Sequence, residues 1–108
     1  MEEYEIVLES PMGPRNGSLR FEEKNGEVTG TLILLGYENP VTGKCFGEHM
    51  LKLFHRLRTQ ISDLTCVSTP ETDKNRIFGE LNSGRSTMKW HGTKISQTKA
   101  ENEINGEE

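Results

Sequence analysis

Along residues 4–9, YEIVLE, apolar and polar side chains alternate, with Tyr4, Ile6 and Leu8 on one face and Glu5, Val7 and Glu9 on the other. A helix would scatter such a set around its circumference, whereas a strand gathers it on one side, so the segment predicts a half-buried β-strand. Residues 18–23, SLRFEE, repeat the pattern with Leu19 and Phe21. Asn16-Gly17 precedes that segment and Asn25-Gly26 follows it. Asn-Gly accepts positive φ at both central positions of a type I′ turn, whose twist matches antiparallel strands. Both dipeptides read as turns, and residues 27–35 as the strand returning from the second.

The phrase KNGEVTGTLIL, residues 24–34, comes back as KNRIFGEL, residues 74–81. With one residue dropped from the first copy, Lys24, Asn25, Val28, Gly30 and Leu32 fall on Lys74, Asn75, Ile77, Gly79 and Leu81. Each copy reads as a hairpin turn feeding a strand whose inward glycine, Gly30 or Gly79, lies between apolar neighbours two residues away. A glycine inside a strand marks tight bending or the close approach of another backbone. Gly92, two residues after Trp90, suits the same purpose in the last strand. Such bends let a sheet close on itself and remove its exposed edges.

Between the copies the reading is less direct. Pro40 and Gly43 in YENPVTG predict a break in regular structure over residues 37–43, followed by a short extended piece at 44–46. In HMLKLFHRLR, residues 49–58, Met50, Leu51, Leu53, Phe54 and Leu57 have helical spacing, while His49, Leu51, Leu53, His55 and Leu57 share one face of a strand. No capping residue immediately precedes the segment and its neighbours read as strands, so context favours a strand. Residues 59–69 are rich in β-formers and break at Pro70 and the polar ETDKN. Ser83-Gly84 turns the chain again, and the strand that follows carries Met88 and Trp90 on one face. The expectation is an all-β fold, a small up-and-down antiparallel meander barrel of seven or eight strands occupying residues 1–95. Residues 96–108, with one isoleucine and much charge, read as a disordered acidic tail.

At 108 residues the chain holds one domain, and with a hydrophobic fraction of 31% its buried positions must be few. A formal charge of -4 excludes a general nucleic-acid partner, which would need a basic face. No apolar run is long enough to span a membrane and MEEYEIVLES is acidic where a secretory signal would be basic, so no membrane partner and a cytoplasmic location are expected. Cys45 and Cys66 read as free thiols, and without C-x-x-C or a close His pair no metal is expected. GELNSGRS, residues 79–86, imitates a phosphate loop, but Arg85 stands where lysine belongs and the segment joins two strands. Asn16-Gly17-Ser18 is only a formal sequon. No nucleophile and base pair is indicated, so neither catalytic residues nor a cofactor are expected.

The phrases MGPRNGSLRFEEKNGEVTGTLILLGYENPVTG and RIFGELNSGRSTMKWHGTKI resemble those of small uncharacterised bacterial β-barrel proteins with a lipocalin-like, or calycin-like, meander; the likeness covers roughly residues 3–95. It implies binding of a small hydrophobic ligand. The usual lipocalin Gly-x-Trp near the N-terminus is absent and the chain is short for that class.

In a meander, alternate connections share an end of the barrel. Tight turns at 24–26 and 72–75 then close one end, while loops at 10–17 and 36–43 and turns near 58–61 and 82–85 frame an open one. Met12, Arg15, Tyr37, Asn39, Arg58 and Arg85 gather on that rim. The inward set beneath comprises Tyr4, Ile6, Leu19, Phe21, Leu32, Leu53, His55, Ile77, Leu81, Met88 and Trp90. The candidate ligand-binding residues are Tyr4, Arg15, Phe21, Tyr37, Leu53, His55, Arg58, Arg85, Met88 and Trp90, for a small apolar or amphipathic ligand. The same set also describes a packed core, because an eight-stranded barrel can be filled by its own side chains. In that alternative the chain is an interaction module whose partner is another protein or a second copy of itself.

Overall fold

A computed structural model describes residues 1–95; the tail expected over 96–108 lies outside the described residues. In chain order the strands are β1 (Glu2–Ser10), β2 (Gly13–Lys24), β3 (Glu27–Leu34), β4 (Tyr37–Phe46), β5 (Met50–Arg58), β6 (Asp63–Ser68), β7 (Glu71–Asp73), β8 (Arg76–Asn82) and β9 (Thr87–Lys94). All pairings are antiparallel. Each of β1 to β5 pairs with the next, β6 pairs with β8, β8 with β9, and β9 returns to β1, so eight strands close an up-and-down barrel.

The three-residue β7 is additional to this ring and prolongs the line of β6. Leu53 faces Ser68 and Met50 faces Glu71, while Ser68 faces Leu81 and Glu71 faces Phe78, so one register runs through both pieces. Pro70, which has no N–H to give the ladder, interrupts it, yet its carbonyl still accepts from Leu51 N at 2.9 Å. The expected break at Pro70 and ETDKN is therefore a proline within a strand line, with the turn confined to Lys74 and Asn75.

Three other expectations are corrected. Residues 37–43 are not a loop: β4 runs unbroken from Tyr37 to Phe46, with Pro40 just beyond the Val41–His55 pair that ends its ladder with β5. Residues 10–17 are not a loop either, because the chain reverses at Pro11 and Met12. Asn16-Gly17 is inside β2, where pairing with β1 on one side and β3 on the other holds it extended. By contrast, the segment at 49–58 is the strand that its context indicated, from Met50 to Arg58, with Leu51, Leu53, His55 and Leu57 buried in strict alternation.

Glycines placed inside the strands are where walls approach most closely. A Cβ on Gly30 would lie 2.0 Å from the Arg20 carbonyl oxygen, and one on Gly79 would lie 2.5 Å from Pro70 Cα. The related phrases thus build the same strand half, Val28-x-Gly30-x-Leu32 and Ile77-x-Gly79-x-Leu81, with their turns at the same distance before it, so it is the shared Lys-Asn pair that shifts by one residue relative to the turn. Asn25-Gly26 turns the first and Lys74-Asn75 the second.

The core fills the barrel. Tyr4, Ile6, Leu19, Phe21, Leu32, Leu53, His55, Ile77, Leu81 and Trp90 are buried as the alternation requires, and Met88 is half-buried at one end. Burying each large apolar side chain is worth roughly 1.5–3 kcal/mol.

Candidate functional site

The two ends of the barrel differ. Tyr4 and Phe21 stack with ring centroids 6.1 Å apart toward the end that carries the β2–β3, β4–β5 and β7–β8 turns. Main-chain bonds tie that end together: Cys45 N donates to Gly26 O, Thr72 N to His49 O, Lys94 N to Asn75 O and Ile95 N to Glu3 O, all between 2.7 and 2.9 Å. Burial raises the pKa of the Tyr4 phenol and of the Cys45 and Cys66 thiols, so these groups are held neutral.

At the opposite end, the β1–β2, β3–β4 and β5–β6 connections and the start of β9 surround a depression of about 690 Å³. Its floor and walls include Leu8, Leu35, Leu57, Leu64 and Met88, and Met12, Ile61 and Arg15 stand around them with Ser10, Thr59, Gln60 and Ser62. Local hydrogen bonding lifts the two most exposed apolar side chains. Ser10 Oγ donates to Gly13 O at 2.6 Å and accepts from Met12 N at 3.2 Å, which fixes the tip bearing Met12, 81% exposed. Thr59 Oγ1 accepts from Ile61 N at 3.2 Å and Ser62 N at 2.9 Å, and Thr59 N donates to Ser62 O at 2.8 Å, so Ile61 is held out in solvent at 95% exposure.

Leu35 stands out among the lining residues. It has φ 56° and is followed by Gly36 at φ 84°, nearly the backbone of Asn25 at φ 56° and Gly26 at φ 83° in the β2–β3 turn. Left-handed backbone costs an ordinary residue roughly 1–2 kcal/mol, and asparagine pays less because its side chain bonds locally. Two hairpins therefore share one turn geometry, but the one at the mouth uses leucine. Backbone strain held by the surrounding structure clusters at functional positions.

Beneath the mouth the interior is nearly solid. An internal gap there is about 10 Å³, bordered by Leu53, His55, Ser68, Leu81 and Trp90 among others. His55 and Ser68 are buried, and His55 Nε2 lies 2.8 Å from Ser68 Oγ while Nδ1 lies 3.0 Å from Arg56 O. A carbonyl only accepts, so Nδ1 carries the proton of the neutral ring, and Ser68 donates its hydroxyl proton to Nε2. Burial lowers the His55 pKa, against the opposing pull of the Arg56 carbonyl. The pairing looks like a nucleophile and its base, but a gap of this size admits no substrate carbonyl.

The residues expected to form one site are dispersed over five places. Leu53, His55 and Trp90 border the internal gap, Arg15 and Met88 line the mouth, and Tyr4 and Phe21 lie near the closed end. Tyr37 and Arg58 pair with each other, the guanidinium carbon 5.5 Å from the ring centroid. Arg85 is exposed on the β8–β9 turn, outside the mouth lining. Asn39, expected on the rim, is fully buried: its Nδ2 donates to Leu32 O at 3.1 Å and Tyr37 O at 3.3 Å, and its Oδ1 accepts from Arg58 N at 3.2 Å.

Sequence reasoning missed Leu35, Leu57, Ile61 and Leu64. A lone isoleucine between Gln60 and Ser62, in a stretch closed by Thr59, is the signal that was present. The Ser68–His55 pair had none, because it depends on how β5 and β6 align. Among the described residues no cluster of three or more His, Cys, Asp or Glu is placed to hold a metal. No helix there is long and apolar enough to cross a membrane, a statement that does not bear on strands. No protein-family model matches the chain, and no curated protein is significantly similar to it.

Proposed function

We propose that this chain is a noncatalytic, lipocalin-like binding protein that takes a small apolar or amphipathic molecule across the mouth of its barrel, above a packed interior. The observation that carries the reading is the apolar depression at the mouth, with Met12 and Ile61 held in solvent above Leu35, Leu57, Leu64 and Met88. Its volume lies within the roughly 300–1,000 Å³ of small-molecule pockets. Arg15 is the charged group on the lining, which favours an anionic head group on the ligand. A place among bacterial lipocalin-like, calycin-like proteins is part of the proposal and is supported by the eight-stranded meander and the repeated phrase. A cytoplasmic location is likewise proposed, since two unpaired thiols suit a reducing compartment.

Trp90 is the only tryptophan, and it faces Leu8, a mouth residue, in the β1–β9 ladder. Titration with a medium-chain fatty acid should therefore change its emission saturably, and native mass spectrometry should show a one-to-one complex. Ile61→Asp combined with Met12→Asp should weaken binding at least tenfold. Absence of saturable binding by fatty acids and by neutral amphiphiles sinks the proposal.

The second reading, an interaction module or homodimer with a solid core, draws on the outer wall. Phe46, Met50 and Phe78 lie on one row across β4, β5, β7 and β8, where Phe46 faces Met50, Met50 faces Glu71, and Glu71 faces Phe78. Each is at least a third exposed, as is Phe54 on the same wall. A clean dimer without small-molecule uptake in the same mass spectra favours that reading.

A further inference from the structure

One donor inside the barrel has no acceptor. Trp90 is 4% exposed and its Nε1–H, fully buried, meets no hydrogen-bond partner in the protein. Leaving such a group unsatisfied costs roughly 1–3 kcal/mol, and buried polar groups in native proteins are nearly always bonded. Trp90 borders the same gap of about 10 Å³ as His55 and Ser68. The hydroxyl proton of Ser68 is committed to His55 Nε2, so the acceptor capacity of Ser68 Oγ is what remains. A donor and an acceptor with no bond between them thus border one small chamber.

We propose that this chamber is a built site for a single water molecule, which accepts from Trp90 Nε1–H and donates to Ser68 Oγ. The size fits, since one water needs about 10–15 Å³ of such space. The chemistry is selective as well. An ion is excluded by the cost of burying a charge among Ile6, Leu19, Leu32, Leu34 and Val41. A diatomic or larger guest exceeds the volume. The bound water completes a run of bonds in one sense, from Trp90 through water, Ser68 and His55 to the Arg56 carbonyl. It connects β9 to β6 and β5 across the interior, between walls that do not pair directly, and holds His55 in its Nδ1–H tautomer.

The test is a crystal structure of the full chain at a resolution that shows waters, together with NMR of the single indole N–H. One density peak within about 3.2 Å of both Trp90 Nε1 and Ser68 Oγ is expected. The indole proton should show a dipolar cross-peak to water with the sign of a long-lived contact, and Trp90→Phe should lose the density peak. A dry chamber, an indole bonded directly to a protein acceptor, or a peak that persists unchanged in Trp90→Phe overturns the proposal. Should Trp90→Phe fail to fold, the two measurements on the unaltered chain still decide it.

Discussion

Asn39 shows how much one polar side chain can hold. It satisfies two carbonyls and the Arg58 N–H where the β4–β5 ladder has ended, so it substitutes for main-chain pairing beside Pro40. Asn39→Ala removes one buried bond, to Leu32 O, and two part-buried ones, to Tyr37 O and Arg58 N. It should cost about 2–4 kcal/mol, read as a lower urea midpoint with unchanged slope. Leu35 predicts the opposite trade. Leu35→Asn relieves left-handed backbone and should leave the fold as stable or up to about 1 kcal/mol more so, while weakening ligand uptake at the mouth. Thermal melts and the Trp90 titration measure the two effects on one variant. His55 adds a pH dependence. Because burial lowers its folded pKa, the unfolded chain, titrating near 6.5, binds a proton that the folded chain refuses. Stability from this group is complete above about pH 6.5. It declines as pH falls below that value, by at most about 1.4 kcal/mol per unit, until the folded ring itself titrates. Urea midpoints between pH 7.5 and 5 should show the decline in the unaltered chain and a shallower one in His55→Leu.

At the scale of elements, glycine and proline decide where strands bend and where ladders pause. Gly79 faces Pro70, and an added Cβ would lie 2.5 Å from Pro70 Cα and 2.9 Å from Thr69 O, contacts that backbone cannot vacate. Gly79→Val should therefore cost about 3 kcal/mol or more, or prevent folding. Gly26→Ala, whose Cβ meets open space but whose φ is 83°, should cost only about 1–2 kcal/mol. Equal melting temperatures for the two variants would remove close approach from the account of Gly79. The alternation in β1, β2 and β9 could be read directly because each strand has one wet and one dry face, whereas β5 fitted both periods and needed its neighbours to decide it. Pro40, Gly43 and Asn16-Gly17 misled because turn chemistry is only a local preference. Pairing on two flanks, worth several bonds per strand, overrides it. Pro70 misled in the same sense, since neighbours on both sides keep its segment extended.

For the whole molecule, the contrast between ends matters most. One end is tied by main-chain bonds and the Tyr4–Phe21 stack, and the other presents apolar tips. The tips contribute little to the core, so Met12→Asp and Ile61→Asp should each change stability by no more than about 0.5 kcal/mol, even as ligand binding falls. A large loss of stability would mean that these residues belong to the fold and not to a site. The period-two pattern determined the class of fold and most of the inward residues named, because both follow from neighbours two residues apart, and the meander order then determined which turns share an end. Only the tertiary structure decided that the interior is full, that Asn39 and Ser68 are buried, and that Met12 and Ile61 meet Leu35, Leu57, Leu64 and Met88 at the mouth. Those outcomes depend on how strands distant in sequence align and how closely glycines let them approach, which no local pattern encodes.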